Sequence, residues 1–252
     1  MFIDTHCHVS EEYYDDIDKV MEENKSSGIE KIIISGCEKE EIKSTINYIN
    51  KYDMAYATIG YYPSEADSIN DKDIFNLEDL IINNKKIVGV GEIGLDYHYG
   101  KENIDKQKDL FEKQLSLAEK LKLPVVIHSR DATKDTIDIL HKYMVRGVIH
   151  CFSGSLETAN IYISMGYKLG IGGVVTFKNS KLYQVIEKVD ISNIVLETDS
   201  PYLTPEPYRG KTNSSKYIPI VAKKIADIKN INIDEVSKKT LDNTHNIFDL
   251  NK

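Results

Sequence analysis

Eight short apolar runs rich in β-branched residues recur along this chain: FIDTHCHV, KIIISGC, MAYATIG, KIVGVGEIG, PVVIHSR, GVIHCFSG, YKLGIGG and NIVLETD. The stretches between them, among them residues 12–27, 40–51, 103–121, 134–143 and 180–189, place apolar side chains three and four residues apart, the period of an amphipathic helix. Strands that are apolar throughout and joined by helices belong to a parallel sheet covered on both faces. Eight such units without a glycine-rich phosphate-binding turn predict an α/β fold of the TIM-like (β/α)8 barrel type, with a doubly wound open sheet as the alternative. Residues 1–252 are expected to form a single domain, because α/β barrels of this length are routinely undivided.

Six side chains of metal-ligating type stand at the ends of these runs: His6, His8, Glu92, His128, His150 and Asp199. Alternate residues of a strand project to one face, so His6 and His8 should point the same way and chelate one cation. Working residues of such barrels gather at the C-terminal ends of the strands, which is where all six are expected. Four imidazoles and two carboxylates exceed one closed tetrahedral site, so two cations sharing a ligand are the more natural reading. Glu92 is the expected bridge, since a carboxylate has two oxygens and an imidazole offers a cation one basic nitrogen. Mixed nitrogen and oxygen donors accept magnesium, manganese or zinc. Such cations lower the pKa of water from about 15.7 towards about 7, which makes the reaction class metal-assisted hydrolysis. Asp199 is the candidate proton acceptor as well as a ligand, and Asp199 and Glu92 are the candidate catalytic residues.

Other features narrow the function. The three cysteines, Cys7, Cys37 and Cys151, cannot all pair and show no Cys-x-x-Cys spacing, which predicts a reducing, cytoplasmic setting. No signal-peptide pattern opens the chain and no stretch approaches the ~20 apolar residues of a membrane span, so no membrane association is expected. No obligate protein partner is evident. A net charge of -8 argues against broad electrostatic capture of nucleic acid, while leaving room for a local basic groove. The irregular stretch PYLTPEPYRGKTNSS after the eighth run reads as a loop over the barrel mouth. Residues 217–229 and 234–241 read as helices, and Ile247, Phe248 and Leu250 as packing residues. His141 and His245 lack strand-end placement and read as surface or packing residues, whereas His98 beside Tyr97 is placed to touch substrate. Arg130 either holds a phosphate or braces Asp131. Cys7 and Cys151 should face away from their neighbouring histidines by strand alternation. Tyr61, Tyr62, Tyr97 and Tyr202 fall near rim loops, where base stacking is one use and packing the commoner one.

The segments THCHV, GEIGLDYH, VVIHSRDA, HCFSG and ETDSPYLTP, in that order, resemble the TatD family of metal-dependent deoxyribonucleases of the amidohydrolase superfamily. The resemblance spans nearly the whole chain. It implies a TIM-like barrel, two divalent cations and hydrolysis of phosphodiester bonds in DNA, often as a 3′-5′ exonuclease. Motif by motif, it implies that His6, His8, Glu92 and Asp199 bind one metal and Glu92, His128 and His150 the other. Two departures stand out: Tyr62-Pro63 replaces a His-Pro step, and Ser214-Ser215 follow Asn213 where relatives often read Asn-Glu-Pro. Arg209 and Lys211 remain, with Arg130, as candidate substrate-binding residues. The rival readings are hydrolysis of another ester or an amide on the same scaffold, an aminoacyl-tRNA linkage for instance, and a non-catalytic binding module.

Overall fold

The computed structural model describes residues 1–98, 100 and 102–250. Its first half runs β1 (Phe2–Cys7), α1 (Ile17–Ser26), β2 (Ile29–Gly36), α2 (Glu41–Lys51), β3 (Ala55–Ile59), α3 (Asp71–Asn83), β4 (Ile87–Asp96) and α4 (Ile104–Leu121). The second half runs β5 (Val125–Arg130), α5 (Thr133–Leu140), β6 (Gly147–Ile149), α6 (Leu156–Ser164), β7 (Lys168–Ile171), α7 (Leu182–Lys188), β8 (Ile194–Leu196), α8 (Ile218–Lys229) and α9 (Ile233–Ile247). Each of the eight apolar runs overlaps one strand, and the strands follow one another in chain order in one eight-stranded parallel sheet. This is the TIM-type (β/α)8 fold.

The chain divides into two compact units, residues 1–34 with 150–246, and residues 35–149 with 247–252. In the first unit, β1 pairs in parallel with β2 from Phe2↔Ile29 to Cys7↔Ile34, and β7 pairs with β8. The ends of β1 and β8 are joined as well: Cys7 bridges Ser200, the His8 N–H donates to Ser200 O at 2.7 Å, and the Asp199 N–H donates to His6 O at 3.0 Å. That seam brings residues nearly two hundred positions apart into register. α1 begins where the Asp16 side chain accepts the Lys19 N–H, and it buries Ile17, Met21 and Asn24 at helical spacing. α9 reaches several residues past the expected 234–241. Its NTHN segment is a poor helix former, but the Asn243 side chain anchors it by donating to Ile191 O and Ile194 O.

In the second unit β3, β4, β5 and β6 pair in parallel in that order. All ten residues of β4 are buried, as a strand covered on both faces requires. α3 opens with a reciprocal cap in which Asn70 accepts from the first turn and Asp73 accepts the Asn70 N–H. α4 ends on Lys122 in the left-handed region, and Pro124 soon follows. Ile247, Phe248 and Leu250 are buried here, and Leu250 O accepts the Tyr56 hydroxyl at 2.7 Å.

Candidate metal centre

In the first unit the seam between β1 and the segment after β8 assembles four of the six expected ligands. Nε2 of His6 lies 3.3 Å from Nε2 of His8, and Asp199 Oδ1 lies 3.6 Å from each. The His150 ring packs on His6 with centroids 4.0 Å apart, and donor atoms of His6, His150 and Asp199 lie within 4.8 Å of one another. Donors about 2.0–2.2 Å from a common cation in tetrahedral array stand roughly 3.3–3.6 Å apart. The His6, His8 and Asp199 spacing therefore fits a divalent cation, and the donor types suit zinc, manganese or magnesium.

The loop carrying Asp199 is held from both sides. Asp4, wholly buried two residues before His6, accepts the Thr198 N–H at 3.0 Å and the Thr198 hydroxyl at 2.6 Å. The buried Asn213 amide donates to Thr198 O at 2.9 Å and to Tyr202 O at 2.5 Å, bracketing Asp199. Asp199 itself sits at φ 54°, where its own N–H reaches back to His6. Burial opposes ionisation of Asp199, but the hydrogen bond with His8 and the charge of His150, His6 and His8 outweigh it and hold its pKa below the usual carboxylate value. Burial dominates at Asp4 and raises its pKa to about 7, against hydrogen bonds from Thr198, Ser215 and the His6 backbone.

Glu197, fully buried, adds a carboxylate that strand reading missed. Its Oε1 accepts the Cys151 N–H at 2.6 Å and lies 3.2 Å from His150 Nδ1. Cys151 is correspondingly not a strand residue facing the opposite side: β6 ends at Ile149, and Cys151 turns at φ 46°, aiming its N–H at Glu197. Cys7 does face away from His6, towards Ile33 O. No cysteine forms a disulfide.

The second unit holds Glu92 and His128 together. His128 Nδ1 is 2.7 Å from Glu92 Oε1, and its Nε2 is 3.1 Å from Asp96 Oδ2. The Tyr62 hydroxyl donates to Asp96 Oδ2 at 2.8 Å and lies 3.0 Å from His128 Nε2. Glu92 and His128 lie inside their strands rather than at the ends. β4 slips register between Val90 and Ile93 and runs on to Asp96, so the pairing extends past Glu92 and through Gly94↔His128. Burial opposes ionisation of Asp96, yet hydrogen bonds from His128, the His98 backbone and Tyr62 bring its pKa down to about 2. Burial and the charges of Glu92 and Asp96 push the Tyr62 phenol well above its ordinary value.

Parity along β1 and β4 carries part of the missed signal, while Glu197 and Asp199 lie beyond β8. Asp4 shares its face with His6, Asp96 with Glu92, and Glu197 precedes Asp199 by two. Of the substrate-binding candidates, Arg130 ends β5 and is exposed. Asp131 pairs with His98 Nδ1 at 3.3 Å. Arg209 and Lys211 are exposed in the loop after β8, with the guanidinium 4.0 Å over the Phe177 ring and the ammonium 5.4 Å over Tyr208. No helix among the described residues is long and apolar enough to cross a membrane.

The profile of the TatD related DNase family matches residues 3–249. The metal-dependent hydrolase YabD of Bacillus subtilis is 38% identical over 256 residues, covering 100% of both chains. The crystal structure of YjjV, a TatD homologue from Escherichia coli, superposes with a TM-score of 0.91 at 30% identity, covering 98% of each chain. A TatD-family hydrolase from Entamoeba histolytica shares the fold at a TM-score of 0.87 and 24% identity, covering 98% of this chain and 97% of its own.

Proposed function

This chain belongs to the TatD-related DNase family, as a metal-dependent hydrolase, and from that premise we propose that it cleaves phosphodiester bonds of DNA in the 3′-5′ direction. The observation that carries the reading is the convergence of His6 Nε2, His8 Nε2 and Asp199 Oδ1 at cation-binding spacing. The ligands are His6, His8, His150 and Asp199 in one unit and Glu92 and His128 in the other, for two divalent cations of magnesium, manganese or zinc. Such cations, when bound, polarise a phosphoryl oxygen and make water acidic enough to attack at neutral pH.

The chain's own groups supply the rest. The Asp199 carboxylate, kept ionised by the imidazoles around it, accepts a proton from the attacking water. Asp4, Thr198 and Asn213 hold the backbone on either side of Asp199, so little reorganisation accompanies the transfer. Arg209 and Lys211, with Arg130, steady phosphate oxygens, the guanidinium groups bidentately. Burial of Glu92 limits solvation of its charge and directs it to partners within the site.

The test is a substrate profile at matched manganese: single-stranded oligonucleotides, an aminoacyl ester and a small amide. Turnover of the phosphodiester alone supports the reading. Turnover of the ester or amide with no cleavage of the oligonucleotide replaces it with the rival hydrolase.

A further inference from the structure

We propose that Tyr202, held edge-to-face by Tyr13, forms a stacking platform for the terminal nucleobase of a nucleic-acid strand, and that the acidic stretch around Tyr13 stops the strand from continuing past it. The inference deepens the phosphodiesterase reading and rests on it for the identity of the ligand.

Tyr202 is 50% exposed, and its ring stands edge-on to that of His8 at 6.3 Å. Its hydroxyl lies 2.8 Å from that of Tyr13, and the two rings meet at 70° with centroids 5.8 Å apart. Each hydroxyl occupies the other, so both rings are oriented before any ligand arrives and little rotamer freedom is lost on binding. The backbone of Tyr202 is tied to the hydrolytic residues: its N–H donates to Asp199 O at 2.9 Å, and its carbonyl accepts the Asn213 amide. An exposed ring face this close to the candidate centre, with its polar tip already engaged, suits a flat aromatic ligand bound by stacking rather than by hydrogen-bond readout.

Charge gives the platform a direction. Tyr13 is flanked by exposed Glu11, Glu12, Asp15 and Asp16, and no lysine or arginine occurs from Ser10 to Asp18. A phosphate backbone crossing Tyr13 meets the like charge of these four carboxylates. The chain after Tyr202 carries exposed Arg209 and Lys211 instead. The cations of the segment after Tyr202 thus favour phosphates and the carboxylates around Tyr13 disfavour them, so the base resting on Tyr202 is the last of its strand.

Fluorescence anisotropy tests this with single-stranded oligonucleotides whose last two linkages are phosphorothioates, ending in a natural base or in an abasic residue. Wild type should bind the base-terminated strand roughly tenfold more tightly, the effect of stacking one base. Tyr202→Leu should abolish the difference with an unchanged melting temperature, and Tyr202→Phe, which keeps the ring, should preserve it. Equal binding of both strands by wild type, or a preference that survives in Tyr202→Leu, overturns the platform. Circular single-stranded DNA should compete poorly against wild type and well against a Glu11→Gln, Glu12→Gln, Asp15→Asn variant; equal competition overturns the acidic stop. Cleavage of the same strands with ordinary linkages is scored separately, so its absence sinks the phosphodiesterase reading without deciding the stacking result.

Discussion

Glu197 Oε1 lies 3.2 Å from His150 Nδ1 while accepting the Cys151 N–H at 2.6 Å, and the whole Glu197 side chain is buried. The approach to the imidazole is electrostatic rather than an aligned hydrogen bond. A carboxylate at that nitrogen favours the tautomer protonated at Nδ1 and leaves Nε2 basic, the arrangement that strengthens a metal-binding histidine. With His150 as a ligand, Glu197→Gln should weaken cation binding by about 10–100-fold. Calorimetric titration of metal-stripped protein with manganese measures it; unchanged affinity contradicts the role.

Gly94 tolerates no side chain. It sits at φ 147°, and a Cβ there would fall on the His128 carbonyl oxygen. Gly94→Ala should therefore push β4 from β5 beside His128 and destabilise the protein by about 2 kcal/mol or more, combining a forbidden backbone conformation with overpacking. Urea unfolding reads this directly, and a loss under about 0.5 kcal/mol contradicts the close approach.

Asn213 links the two sides of Asp199 through Thr198 O and Tyr202 O. Asn213→Ala leaves one buried and one part-buried carbonyl without that donor and should cost about 2 kcal/mol. Serine does not span both oxygens, so Asn213→Ser should restore little of the loss, again by urea unfolding.

Asp73 sets a pH dependence at the start of α3. The Lys39 ammonium 2.6 Å away and the Asn70 N–H hold its carboxyl below the ordinary value, against a smaller opposing effect of burial. A carboxyl depressed in the folded state contributes stability that is complete above its unfolded pKa near 3.9 and is lost as pH falls through the folded value. Asp73→Asn should thus be less stable than wild type at pH 7 and approach it as pH falls below the depressed folded value of the carboxyl. Asp73→Ala, which also removes half of the reciprocal cap, should cost about 1 kcal/mol at pH 7. Melting curves across pH check both.

The strands were legible because burial on both faces writes itself into composition: β3 and β4 show unbroken burial in segments read as apolar runs. The pairing of His6 with His8 followed from alternation alone. Strand ends were less legible, because β4 continues through Gly94 to Asp96 by pairing with β5, and a partner strand leaves no mark on the sequence of the first. Parity puts Asp4 and Asp96 on the faces of His6 and Glu92, but the purpose of Asp4, Asp96 and Glu197 shows only through their partners, here Thr198, His128 with Tyr62, and His150. The Tyr62 departure from the family pattern became intelligible in the same way, since its hydroxyl engages Asp96 and His128.

Digestion of 3′- and 5′-end-labelled DNA by wild type and Asp199→Asn, across magnesium, manganese and zinc with chelator controls, decides whether the chain is a metal-dependent 3′-5′ nuclease. The expected result is cation-dependent release of nucleotides from the 3′ end, abolished by chelator and reduced at least a thousandfold, on the order of 4 kcal/mol, in Asp199→Asn at unchanged fold. Intact DNA after incubation with folded, metal-loaded wild type, or full activity in Asp199→Asn, would contradict it.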